Sequence, residues 1–137
     1  MYLLDTNVVS ELRKAKPHGA VLAWLQDIPE HQLYLSAFTL AEIQSGIEKT
    51  REQDQHKAEE IERWLNRLEL TFSVLPMDSN CFRLWAKLMH RETDTALEDA
   101  MIAATAMANK LTVVTRNSKD FRRFDVPQVN PFEKRRE

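Results

Sequence analysis

Residues 97–121 read LEDAMIAATAMANKLTVVTRNSKDF, and the order of elements in this stretch decides the fold class. From Ala100 to Ala108 nearly every side chain is small or apolar, so the spacing predicts a helix buried on most sides and lying against a sheet. Leu111 to Thr115 follows at once and carries Thr112-Val113-Val114, β-branched residues that favour an extended strand. Working upstream, Phe82, Trp85, Leu88 and Met89 make one face of a helix, and Phe72 to Leu75 is a candidate strand ended by Pro76. A charged stretch from Glu52 to Glu60 leads into a helix with Ile61, Trp64, Leu65 and Leu68 on its apolar face, the pattern of an exposed helical arm. Ser36 is placed to cap a helix running from Thr39 through Ile43 and Ile47, after the short strand Leu33-Tyr34-Leu35. Val21, Trp24, Leu25 and Ile28 repeat at helical spacing and stop near Pro29. At the start of the chain, Tyr2-Leu3-Leu4 reads as a strand and Thr6 to Lys14 as a helix, with Asp5 or Thr6 as N-cap. Downstream, Val126 to Val129 is a weak strand beside Pro127. Strands separated by helical segments require parallel pairing through right-handed crossovers, which makes this an α/β domain.

Composition limits what such a domain does. At 137 residues, with 43% hydrophobic and 29% charged residues, one domain is expected, and about 68% of its unfolded surface should be buried. No repeat or internal linker breaks residues 1–132, whereas residues 133–137, EKRRE, read as a frayed basic tail. The lone Cys81 excludes a CxxC zinc or redox site and fits a reducing cytosol, so a cytoplasmic location is expected. Neither a membrane span nor a signal peptide is expected from the apolar runs. With Gly19 and Gly46 as the two glycines, no P-loop, GxGxxG or GxSxG elbow can be written. The net charge is −2, but residues 110–137 hold eight Lys/Arg against four Asp/Glu, a balance of +4, leaving −6 for residues 1–109. Acidic groups come early and basic groups late, either as two solvated surfaces or as two halves of one site.

Ligands in an open parallel sheet collect at the carboxyl ends of strands, where strand order reverses. Asp5 directly follows the first strand, Asn117 follows the best strand after Thr115 and Arg116, and Glu42 lies on the helix that Ser36 opens. Asp99 precedes the buried run of alanines. Each has a bland reading alone: Asp5 as an N-cap, Glu42 as a surface carboxylate, Asp99 as a first-turn residue facing the helix dipole. If the three converge, their mutual repulsion raises a pKa unless a cation neutralises them. Oxygen-only ligation suits Mg²⁺ or Mn²⁺, and such an ion activates water and polarises a phosphoryl oxygen, the requirements of phosphodiester hydrolysis. Arg116, Lys119, Arg122 and Arg123 are then placed to hold a polyanion. His18, His31, His56 and His90 show no ligand spacing, and no Ser-His-Asp or Cys-His set is present.

Taken together, LLDTNVVSEL, LSAFTLAEIQSGI and LEDAMIAATAMANKLTVVTRNSKDF, in that order over nearly the whole chain, resemble the PIN-domain family, with most likeness to toxins of the VapC and FitB type from type II toxin–antitoxin pairs. The resemblance implies a three-layer α/β/α sandwich around a central parallel sheet and a Mg²⁺- or Mn²⁺-dependent endoribonuclease. It also implies a homodimer and a cognate antitoxin that inserts near the acidic pocket, with operator DNA reached only through that antitoxin. By position, Asp5, Glu42 and Asp99 match the family's metal-binding acids and Asn117 its fourth catalytic position, with Asp120 as an alternative fourth ligand, direct or through water. Thr6, Asn7 and Thr115 match supporting polar positions, and Arg116 a substrate contact. The apolar faces at Trp24 and at Ile61 to Leu68 are further expected to exceed what one small domain buries, leaving them for a second copy or the antitoxin. Two departures stand out. The glycine many relatives carry before the strand is missing, so Asn109 is expected to supply the left-handed helix stop, and Glu98 adds a fourth negative side chain beside the pocket. Two rivals remain: a catalytically inactive PIN-like module that joins a DNA-binding protein, and an aspartyl-phosphate phosphotransferase with Asp5 as nucleophile, against which Asn7 stands where a second aspartate is usual.

Overall fold

A computed structural model describes residues 1–133. In chain order the elements are β1 (Tyr2–Leu4), α1 (Thr6–Glu11), α2 (Gly19–Gln26), β2 (Leu33–Ser36), α3 (Ala37–Arg51), α4 (Gln55–Thr71), β3 (Ser73–Leu75), α5 (Ser79–Met89), α6 (Leu97–Ala108), β4 (Thr112–Val114), α7 (Ser118–Phe121) and β5 (Gln128–Val129). Short 3₁₀ turns precede β2 and α6 and follow α7. The five strands form one sheet in the order β3-β2-β1-β4-β5, every pair parallel.

This order explains the layers. Right-handed crossovers that step outward from β1 to β2 to β3 must place their helices on one face, and those stepping the other way, to β4 and β5, on the opposite face. The cores follow that division. Leu4, Leu33, Leu35 and Val114 pack with Val8, Val9, Val21, Trp24, Ile47, Leu65 and Leu68 from α1 to α4. Leu3 and Val113, one residue along each strand, pack instead with Ala100, Ile102, Ala103 and Ala106 of α6 and Phe121 of α7. The period-2 alternation of a strand covered on both faces therefore separates two hydrophobic layers, giving the α/β/α sandwich.

Several boundaries differ from the sequence-based expectation for identifiable reasons. The helix expected to reach Lys14 ends at Glu11, whose buried carboxylate accepts from the His18 backbone N–H at 2.8 Å and from Lys14 Nζ at 2.9 Å, holding the turn closed. Most of the charged stretch from Glu52 to Glu60 is itself helical, because Asp54 caps α4 by accepting from Lys57 N–H at 3.0 Å. Glu62 then ties α4 to α3, accepting from Arg51 at 3.1 Å and Gln44 at 2.8 Å. The apolar faces expected to be left over are used internally: Trp24, Leu65 and Leu68 are buried, and Ile61 and Trp64 pack against the same core. The helix from Ser118 and its 3₁₀ continuation are too short to leave an apolar periodicity in the sequence.

The α6 stop also differs. Leu111 N–H reaches back to Ala106 O at 2.9 Å and Lys110 N–H to Met107 O at 3.3 Å, the paired bonds of a Schellman motif. The left-handed residue is Lys110, with φ 56°, and not Asn109, whose φ is −108° and whose amide instead donates to Thr105 O at 2.8 Å. Of the tail expected to fray, residues 134–137 lie outside the described residues. Among the described residues no helix is long and apolar enough to cross a membrane.

Candidate active site

The strand registers align the site. Leu4 pairs with Leu35 on one side and Val114 on the other, so Asp5, Ser36 and Thr115 leave the sheet level with one another at its carboxyl edge. β1 and β4 flank the point where strand order reverses, the place where open α/β sheets bind ligands. Asp5 is 6% exposed and fully engaged: Oδ1 accepts from Thr6 N–H at 2.8 Å, while Oδ2 accepts from Thr115 Oγ1 at 2.8 Å and Asn7 Nδ2 at 3.2 Å. Thr6 Oγ1 donates to Glu42 Oε1 at 2.7 Å and lies 3.0 Å from the buried Thr39 hydroxyl. Asp99 arrives from the first turn of α6, a helix whose N-terminus has no side-chain cap and therefore keeps its amide dipoles for nearby negative charge.

Asp5, Thr6, Asn7, Glu42, Glu98, Asp99, Ile102 and Asn117 line one cleft of about 170 Å³. Small-molecule pockets usually span roughly 300–1,000 Å³, so this small, open cleft suits ions, water and a phosphate group, and neighbouring hollows that share Thr6, Glu42 and Glu98 continue it along the surface. Burial drives the carboxyl groups toward their protonated forms. Asp5 is raised by desolvation, opposed by its three hydrogen bonds. Glu42 is raised to about 7, first by desolvation and then by the charges of Glu98 and Asp5, with the Thr6 bond pulling the other way. Asp99 is raised to about 6 by desolvation and by the charges of Asp5 and Asp120, with Arg123 opposing.

Burial comes first in all three shifts and repulsion between neighbouring carboxylates adds to it, so the ionised form of this cleft is one that a cation would stabilise. Among the described residues, no three His, Cys, Asp or Glu side chains stand close enough to chelate one ion as placed. Mg²⁺ does not demand that: it keeps several of its waters and usually takes only one or two carboxylates directly. An all-oxygen donor set with surplus negative charge fits such an ion.

The remaining residues separate by position. Asn117 lines the cleft and its N–H donates to Thr115 Oγ1 at 2.9 Å, whereas Asp120 stands outside the lining and reaches Asp99 only through its charge. Arg116 is exposed and donates its N–H to Asn7 Oδ1 at 3.2 Å. Lys119 and Arg122 point to solvent. Arg123 spans Glu92 at 3.4 Å and Asp99 at 4.0 Å. Thr39 and Ile102 escaped sequence reasoning, although Thr39, three residues before Glu42, lay on the same helix face.

A family model of the PIN domain matches residues 2–127. The chain belongs to the PIN-domain family. Within it the chain groups with the VapC and FitB toxins. It is 38% identical to the VapC ribonuclease Y4jK of Sinorhizobium fredii, over 97% of this chain and 99% of that one. Toxin FitB of Neisseria gonorrhoeae is 34% identical, over 96% and 99%. Among solved structures, FitAB bound to an IR36 DNA fragment superposes with a TM-score of 0.85 and 31% identity, covering 99% of both chains.

Proposed function

We propose that residues 1–132 form one Mg²⁺- or Mn²⁺-dependent endoribonuclease domain, the toxin of a type II toxin–antitoxin pair acting in the cytoplasm. The observation that carries this reading is the cleft at the strand-order reversal, where Asp5, Glu42 and Asp99 share surplus negative charge. Asp5, Glu42 and Asp99 would hold the ion, directly or through water. When bound, a divalent ion there lowers the pKa of a water and offsets the charge building on a phosphate. The chain's own part is orientation. Thr115 and Asn7 fix the Asp5 carboxylate, Thr6 fixes Glu42, and Asn117 lines the same cleft, with Asp120 adding charge from outside. The dipole of α6 supports the negative charge of Asp99.

The partners follow from the relatives. The FitAB complex bound to a DNA fragment supports a cognate antitoxin and a DNA-bound assembly, and the same proposal has the operator DNA reached through that antitoxin and the toxin paired as a homodimer. The test is incubation of the chain with total RNA, with Mn²⁺ or with EDTA, followed by mapping of the cut ends. Attack by water leaves 5′-phosphate and 3′-hydroxyl ends and should stop in EDTA. Ends bearing 2′,3′-cyclic phosphate would overturn the hydrolytic reading, and no cleavage at all would favour an inactive module that only joins its partner.

A further inference from the structure

Beside the carboxylates the strand ends carry a group of another kind. Arg116 is bound through its N–H to Asn7, the side chain that also holds Asp5, so its position is set by the cleft itself. Its guanidinium lies 4.3 Å from the centroid of the Phe132 ring, and Phe132 meets His18 edge to face with centroids 5.3 Å apart. Three separate segments converge here: the residue after Thr115, the N-cap of α2, and the chain beyond β5. Phe132 is half-buried, packed against the core that contains Leu4 and Val114, and its N–H donates to Asn130 Oδ1 at 2.9 Å. Arg116 and His18 are exposed.

Phe132 shields this guanidinium from one side while Arg116 as a whole stays exposed. A guanidinium is a cationic plane of the size on which nucleobases stack, and its charge draws the adjoining phosphate. Bases within an A-form duplex have both faces covered by their neighbours, whereas a base turned out of a loop offers one. We propose that Arg116, backed by Phe132 and flanked by His18, is a stacking subsite for an unpaired nucleobase next to the phosphate that enters the cleft. This rests on the nuclease reading of the cleft and narrows its substrate to RNA with a nucleotide turned out of the stack beside the cut.

The test uses an RNA hairpin with 2-aminopurine in its loop, bound to the chain carrying Asp99→Asn so that it is not cut. Drawing the base out of the RNA stack onto Arg116 should raise the fluorescence, because 2-aminopurine is quenched by its stacked base neighbours. Adding Arg116→Lys keeps the charge and removes the plane, so the rise should disappear and affinity for the hairpin fall about tenfold, while affinity for a fully paired duplex is unchanged. An equal rise and equal affinity in the two proteins would overturn the subsite. The unaltered chain is assayed alongside for Mn²⁺-dependent cutting of the same hairpin. Cutting combined with an equal rise removes the subsite alone; absence of cutting removes the nuclease reading and the subsite with it.

Discussion

Asp5 serves two purposes with one carboxylate, capping α1 through Oδ1 and anchoring the cleft through Oδ2. Asp99 is freer, with Arg123 at 4.0 Å as its nearest basic partner, and that difference sets what substitution does. Asp99→Asn removes a charge that is repelled by Asp5 and Asp120, so the fold should melt at the same temperature or higher. RNA cleavage should nonetheless fall by more than the roughly 10–100-fold seen when a group that merely orients a ligand is lost. An unfolded Asp99→Asn protein, by circular dichroism, would make this residue structural. Thr115→Val behaves differently. The fully buried hydroxyl both donates to Asp5 and accepts from Asn117 N–H, so its loss should cost about 1–3 kcal/mol in urea denaturation. Mn²⁺ affinity should drop roughly 10–100-fold in the same protein. The acids at positions 5, 42 and 99 were legible because each sits at a fixed offset from a recognisable strand or helix start. Thr39 and Phe132 were not, since their importance comes from neighbours 33 residues away, at Thr6, and across the fold, at Arg116.

At the scale of elements, the link between α6 and β4 shows how a missing glycine is accommodated. Lys110 occupies the left-handed position of the Schellman motif, where a side chain is strained, while Leu111 still reaches the core beside Ala106. Lys110→Gly should therefore raise stability by about 1 kcal/mol, read as a higher urea midpoint at unchanged slope. A lower midpoint would mean that the Lys110 side chain contributes more than its backbone costs. Helices with strong apolar periodicity were placed from sequence to within a few residues, as with α5 and α6. The start of α4 was misjudged because a run of charges looks like a solvated connection until Glu62 and Arg51 are seen to bridge two helices.

For the whole molecule, the cleft predicts how stability depends on pH and metal. Glu42 at about 7 and Asp99 at about 6 lie above their ordinary values of 4.5 and 3.8, and Asp5 is raised as well. Because the folded state binds these protons more tightly than the unfolded chain, their contribution is fully present below about pH 4 and is lost as pH rises through about 7. Glu11, Glu48 and Asp78 are shifted downward by hydrogen bonds, so their contribution is complete above the normal carboxylate range and does not mask the trend. In EDTA the melting temperature should fall between pH 5 and pH 8, and added Mn²⁺ should restore more of it at pH 8 than at pH 5. A melting temperature that rises over that range without metal contradicts the crowded-carboxylate picture. By itself the sequence determined the alternation of strands and helices and the buried character of α6, and it pointed to Asp5, Glu42 and Asp99, which line one cleft, because periodicity and offsets from element ends are local properties. Only the tertiary structure decided that β1 and β4 are neighbours, that Trp24 and Leu65 face inward, that Lys110 carries the left-handed turn, and that Arg116 finds Phe132. Each of these depends on strand order and packing across the sheet, and distances between residues far apart in the chain are set by the whole core at once.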